Sequence, residues 1–190
     1  MGDQVMNKSG GLTAPELLIT LCLLSVMAGM SLPSFRSLVD QQKAATAIRD
    51  IATALRQARA SAVTTAALVT ACPSPDGVSC GGQWHEGVMV FTDRNGNHVL
   101  DTTDRLLHRV NSLRPPGTLR WRAFRNRNYL QFTGNGFTRY QNGNFTFCHH
   151  SDPRQHRQLI VSRTGRLRFT HDSDDDGLRE NARGAAIDCD

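Results

Sequence analysis

A chain of 190 residues with 39% hydrophobic and 6% aromatic content is too apolar to be disordered throughout and long enough for one compact domain with an appendage. Its formal net charge of +5 rests almost wholly on arginine, since lysine occurs only at Lys8 and Lys43; such a surface permits contacts to phosphate or carboxylate but does not require them. A uniform globule is excluded by the placement of the apolar residues: the run from Leu17 to Phe35 holds no charged residue and approaches the roughly 20 residues a helix needs to cross a bilayer.

The first eleven residues, MGDQVMNKSGG, are short and polar. A conventional signal peptide places its cleavage site after the apolar stretch, whereas here the Gly-Gly pair precedes it. Glu16 then stands alone at the start of the apolar run, where a lone carboxylate is costly in a membrane and calls for a partner. The segment Gly11-Leu12-Thr13-Ala14-Pro15-Glu16-Leu17-Leu18 resembles the class III leader of type IV pilins and type II secretion pseudopilins. The resemblance implies cleavage by a prepilin peptidase after Gly11 and N-methylation of Leu12. It also gives Glu16 its partner, the terminal amine of a neighbouring subunit. Pro33 falls where many pilins carry a helix-bending proline, and an interior proline removes one helical hydrogen bond. Pro15 lies in the first turn, where proline is tolerated. Four segments follow: a cleaved leader over 1–11, a transmembrane and assembly helix over 12–35, its amphipathic continuation over 36–65, and a domain over 66–190.

The continuation is read from Leu38, Ala45, Ile48, Ile51, Ala52, Leu55, Ala58 and Ala62, which recur at three-and-four spacing and form one apolar stripe. Arg36, Lys43, Arg49, Arg56 and Arg59 decorate the remaining faces. After Thr65 the pattern turns to short apolar or alternating runs: 67–71, 88–92, 106–110, 119–121, 129–132, 144–148, 159–162 and 167–170. Asp76-Gly77, Asn95-Gly96, Asn135-Gly136, Asn142-Gly143 and Thr164-Gly165 punctuate them, which predicts antiparallel strands joined by turns. One sheet face must cover the helix to make a core.

Cys22 sits inside the apolar run as a small hydrophobe. Cys72, Cys80, Cys148 and Cys189 are an even set, suited to disulfides in an oxidising compartment. Four cysteines allow three pairings. The preferred one, Cys72–Cys80 with Cys148–Cys189, closes loops worth about 2.5 and about 4 kcal/mol in the chain-entropy picture. No pair has the two-to-four residue spacing that zinc sites favour.

The stretch Cys72-Pro73-Ser74-Pro75-Asp76-Gly77, with Cys80 and Trp84, resembles the disulfide loop of FimT-like minor pilins. Val88 to Asp93 with Asn95-Gly96-Asn97, and Arg157 to Ser162 with Thr164-Gly165-Arg166-Leu167-Arg168, resemble a strand-and-turn and the C-terminal hairpin of the same group. A final cysteine, here Cys189, recurs in it, and the GspH-type pseudopilins share the architecture. The resemblance implies an α+β, pilin-like fold: a long N-terminal helix, half in the membrane and half amphipathic, packed on a small antiparallel β-sheet domain with two disulfides. It implies a single pass of the inner membrane, a C-terminal domain in the periplasm, and later export in a pilus at the cell surface. The partners so implied are other major and minor pilins and the prepilin peptidase.

In some FimT-like proteins the Gly-Arg-x-Arg segment is implicated in DNA binding during natural transformation. Carried over, that places Gly165, Arg166 and Arg168 at the contact, with Arg163 across the turn. On a strand Arg166 and Arg168 share a face, and grouped guanidiniums suit phosphate. The structural alternatives are a solvated hairpin or a salt-bridge patch between subunits, and the acidic run Asp172, Asp174, Asp175, Asp176 would repel phosphate. Arg120, Arg122, Arg125 and Arg127, around Trp121 and Tyr129, form a second basic group that could extend the footprint. Asp93, Asn95, Asn97, Asp101 and Asp104 are spaced like calcium-loop ligands, but His98 replaces the usual glycine. Asp172-x-Asp174-x-Asp176-Gly177 begins similarly, with Arg183 at the closing position. Asx turns explain both stretches more simply. No nucleophile–base motif and no glycine-rich phosphate loop occurs, so no enzyme, cofactor or small-molecule substrate is expected. A minor pilin is the leading reading; the others are a GspH-type pseudopilin of a type II secretion system and a dedicated DNA-capturing tip adhesin.

Overall fold

The computed structural model describes residues 13–113 and 117–189; at 28, 30–34, 36 and 37 it describes the backbone only. The chain forms two compact units, Met1–Val39 and Asp40–Asp190.

A single helix, α1, runs over Ala14–Thr65 and passes position 33 without a break. In the first unit Leu17, Leu18, Ile19, Leu21, Leu23, Leu24, Val26 and Met27 are each more than half exposed. Among the described residues no helix is long and apolar enough to cross a membrane. Cys22 is a free, exposed thiol.

In the second unit the helix buries Ala44, Ala47, Ile48, Ile51, Ala52, Ala54, Leu55, Ala58 and Ala62. The small side chains let the helix lie close against the sheets. The stripe expected from the sequence is there with two corrections. Leu38 is half exposed because the core begins only at Ala44, nearly two turns on, and Ala45 is only partly covered, the buried line running instead through Ala44, Ala47 and Ile48.

Eight strands follow: β1 Val69–Pro73, β2 Val88–Thr92, β3 Leu106–Val110, β4 Gly117–Ala123, β5 Leu130–Phe132, β6 Gly143–His149, β7 Arg157–Val161 and β8 Leu167–Phe169. They make two antiparallel sheets rather than one, ordered β3-β2-β1-β5 and β4-β6-β7-β8. In the first sheet Val69, Ala71, Val88, Val90, Leu130 and Phe132 face the helix in the main core. The opposite face is also covered, by a cluster of Cys72, Met89 and Phe91 with Leu100 and Tyr129 against it. Burial on both faces explains why β1 and β2 read as continuous apolar runs rather than alternating ones. In the second sheet Leu119, Phe145, Phe147, Leu159 and Val161 complete the core. Trp84 meets the Phe145 ring edge-on at 4.7 Å, and its indole Nε1 donates to Asn128 Oδ1 at 2.9 Å. Two disulfides, Cys72–Cys80 and Cys148–Cys189, close the pairing preferred from the sequence.

Candidate functional site

The β7–β8 turn holds the arginines singled out in the sequence. Ser162 N donates to Arg166 O, and Gly165 N to Ser162 O, both at 3.0 Å. Arg166 N also donates to Ser162 Oγ at 3.0 Å. Gly165 has φ +74°, and a Cβ there would run into the carbonyl oxygen of Gly136. Only glycine combines that left-handed backbone with so close an approach. From the helix, Arg59 Nε donates to Gly136 O at 2.9 Å and a terminal nitrogen to Thr164 O at 3.3 Å. On the other side Thr138 N donates to Arg163 O at 2.9 Å. The turn is therefore held from two directions while the side chains of Arg163, Arg166 and Arg168 are exposed.

Beside it lies a cleft of about 610 Å³ whose lining includes Arg56, Arg59, Val63, Gly165, Arg166 and Leu167. Arg56 stacks over Phe169 at 5.7 Å, and Arg163 over Tyr140 at 5.8 Å. Arg56 and Arg59 join this site from the helix, although their sequence context marks them only as decoration of a polar face. The available signal was their three-residue spacing beside the buried Leu55 and Ala58. Chemically the arrangement offers charge-assisted donors to phosphate oxygens on a fixed backbone.

The second basic group is dispersed. Arg120 donates to Cys189 O at 2.8 Å. Arg125 stacks on Phe124, and Arg127 stacks on Tyr129 and donates to its hydroxyl. Trp121 stacks on Phe145 at 4.3 Å and is partly buried against the core.

The two acidic loops differ. Asp93 is fully buried, and its carboxylate is taken up by Thr70 Oγ1 at 2.5 Å, Gln131 Nε2 at 2.9 Å and Asn97 N at 3.0 Å. Asn95 and Asn97 donate to Asp101, and Asp104 accepts from Arg94 N. This loop is an Asx-turn structure around a buried acid. Hydrogen bonds from Thr103, first from its hydroxyl and then its amide, hold Asp101 at a pKa of about 2. Further on, Asp172, Asp174, Asp176 and Glu180 bring carboxylate oxygens within 4.8 Å of one another and could hold a hard cation. Glu180 escaped the sequence reading, which looked for the closing ligand at Arg183.

Gly11 and Leu12 lie outside the described residues. Glu16 is exposed and accepts from Thr13 N at 3.5 Å. Pro33 is helical, its side chain outside the described residues.

The family model for "Type II transport protein GspH" matches residues 47–165, more than half of the chain. The chain belongs to the GspH family. The match opens on the buried helix stripe and closes at Gly165, so Arg166, Arg168 and Cys189 lie beyond it. The family is one of structural, non-enzymatic pilin-like proteins. No curated protein matches the chain. Among solved structures the chain is similar to the type IV minor pilin FimU of Pseudomonas aeruginosa. One crystal form matches with a TM-score of 0.53 at 20% identity, covering 67% of this chain and 87% of that one. A second crystal form matches with a TM-score of 0.49 at 19% identity, covering 65% and 90%. The likeness to the first form shows that this GspH-family chain has the pilin-like α+β fold.

Proposed function

We propose that the protein is a minor pilin. It is cut after Gly11, N-methylated at Leu12, held in the inner membrane by the first half of α1, and built into a type IV pilus with other pilins. The observation that carries this reading is the row of exposed apolar side chains from Leu17 to Met27. Such a surface is unfavourable in water and is suited to lipid first and to neighbouring helices afterwards. Glu16, exposed at the head of that row, is then neutralised by a neighbour's terminal amine. Mass spectrometry of the mature protein should show a methylated chain beginning at Leu12; a chain beginning at Met1 would refute the reading.

The same subunit contacts DNA through Arg163, Arg166 and Arg168, displayed on the Gly165 turn. Replacing all three by Ala should lower the log–log salt slope of DNA binding by about 2.7, the loss of three phosphate contacts. An unchanged slope would remove DNA from this hairpin.

The family description favours a second reading, a GspH-type pseudopilin. A deletion strain separates the two: loss of pili with intact secretion supports the first, and the reverse supports the second.

A further inference from the structure

A second cleft, of about 280 Å³, opens between the helix at Ala45–Arg49 and the side chains of Arg157, Phe169 and Arg179. Three guanidiniums from distant parts of the sequence, Arg49, Arg157 and Arg179, line it. Among the described residues none of the three has a carboxylate within ion-pair distance. Arg157 is half-buried, and its Nε is shielded from water with no hydrogen-bond partner. Arg179 spends one N–H on the Thr170 carbonyl at 3.2 Å, which satisfies a donor and leaves the charge uncompensated. Burial pushes the Arg157 guanidinium down from its usual range, and Arg179 and then Arg49 push it the same way. Each of these influences on Arg157 opposes its charge. Native structures seldom leave a buried donor unpaired or gather like charges without an occupant.

We propose that this cleft is a phosphate-binding site in which a dianionic phosphate group takes up the free donors of Arg49, Arg157 and Arg179. A tetrahedral group presents oxygens in several directions and so serves three forks at once, whereas a planar carboxylate matches one. A dianion also balances three cations better than a single negative charge does. Phe169 and Ile48 add an apolar wall, so there is room for the carbon side of a phosphate ester. The dianion belongs to a phosphate monoester or to free phosphate, since the phosphodiesters of a nucleic-acid backbone carry only one charge each. The site uses the far end of the β7–β8 hairpin, at Arg157 and Phe169, and none of Arg163, Arg166 and Arg168, so it stands whether or not those three bind DNA.

The test uses the full chain in zwitterionic detergent micelles. Thermal unfolding is followed while sodium phosphate is added against sodium chloride of equal ionic strength. Phosphate should raise the melting temperature saturably and chloride should not. Loss of one guanidinium should weaken the apparent affinity on the order of tenfold, one charge-assisted hydrogen bond. Arg157→Gln tests the buried donor. Should that variant fail to fold, Arg49→Gln with Arg179→Gln tests the cluster with Arg157 in place. The triple Ala variant of the hairpin should keep the phosphate response. Displacement of phosphate by glycerol 3-phosphate, or by phosphatidic acid vesicles, identifies a soluble or a membrane-held monoester as the source. Displacement by neither leaves free phosphate. Equal responses to phosphate and chloride, or an undiminished phosphate response in Arg49→Gln/Arg179→Gln, would overturn the proposal.

Discussion

Gly165 is required at its position by two constraints at once, a φ of +74° and the Gly136 carbonyl where a Cβ would stand. Gly165→Ala should therefore destabilise the domain by about 2 kcal/mol or more, read as a lower melting temperature. Asp93 is a different kind of fixed point. Its removal would strand the buried donors of Thr70 and Gln131, and Asp93→Ala should cost roughly 2–4 kcal/mol in denaturant unfolding. Asp101 sets a pH dependence. Its folded pKa of about 2 lies below the ordinary 3.8, so folding favours the charged form. The stabilisation is complete above the ordinary value and is lost as pH falls toward the folded one. Asp101→Asn should melt below the wild type at pH 6, with the difference closing by about pH 2.

At the scale of elements, the two disulfides should differ in weight. Cys148–Cys189 spans 41 residues and Cys72–Cys80 spans 8. Loop entropy makes the first worth about 1.5 kcal/mol more than the second. Paired Ser replacements measured by chemical denaturation should fall in that order. Much of this architecture was legible. The helix stripe, strands β2 and β3 and the turns at Asn95-Gly96 and Thr164-Gly165 all rest on local pattern, whereas the cysteine pairing was one preference among three that the sequence allows. The split into two sheets was not legible, because it depends on β5 returning to pair Leu130 with Ala71 and Phe132 with Val69. Local periodicity cannot express such a long-range register. The site was legible in part for the same reason. Arg163, Arg166 and Arg168 sit together in sequence, whereas Arg56, Arg59 and the Arg49–Arg157–Arg179 cluster are assembled only by tertiary packing.

For the whole molecule, the proposed function assigns two tasks to separate places, assembly to the exposed apolar start of α1 and contact with a polyanion to the arginine-bearing hairpin. Separate variants should divide them too. Glu16→Leu removes the acid while leaving Arg163, Arg166 and Arg168 untouched. It should abolish incorporation into fibres in sheared-pilus preparations while retaining wild-type affinity for DNA. Normal incorporation of that variant would remove Glu16 from assembly.

Arg59 complicates any survey that neutralises basic residues one by one. It bridges the tips of two loops, so its loss loosens the platform on which its neighbours are displayed. Such a survey would score it as a contact residue even if no ligand ever touched it. Grafting the hairpin onto another scaffold would fail for the matching reason, unless the clasp travelled with it.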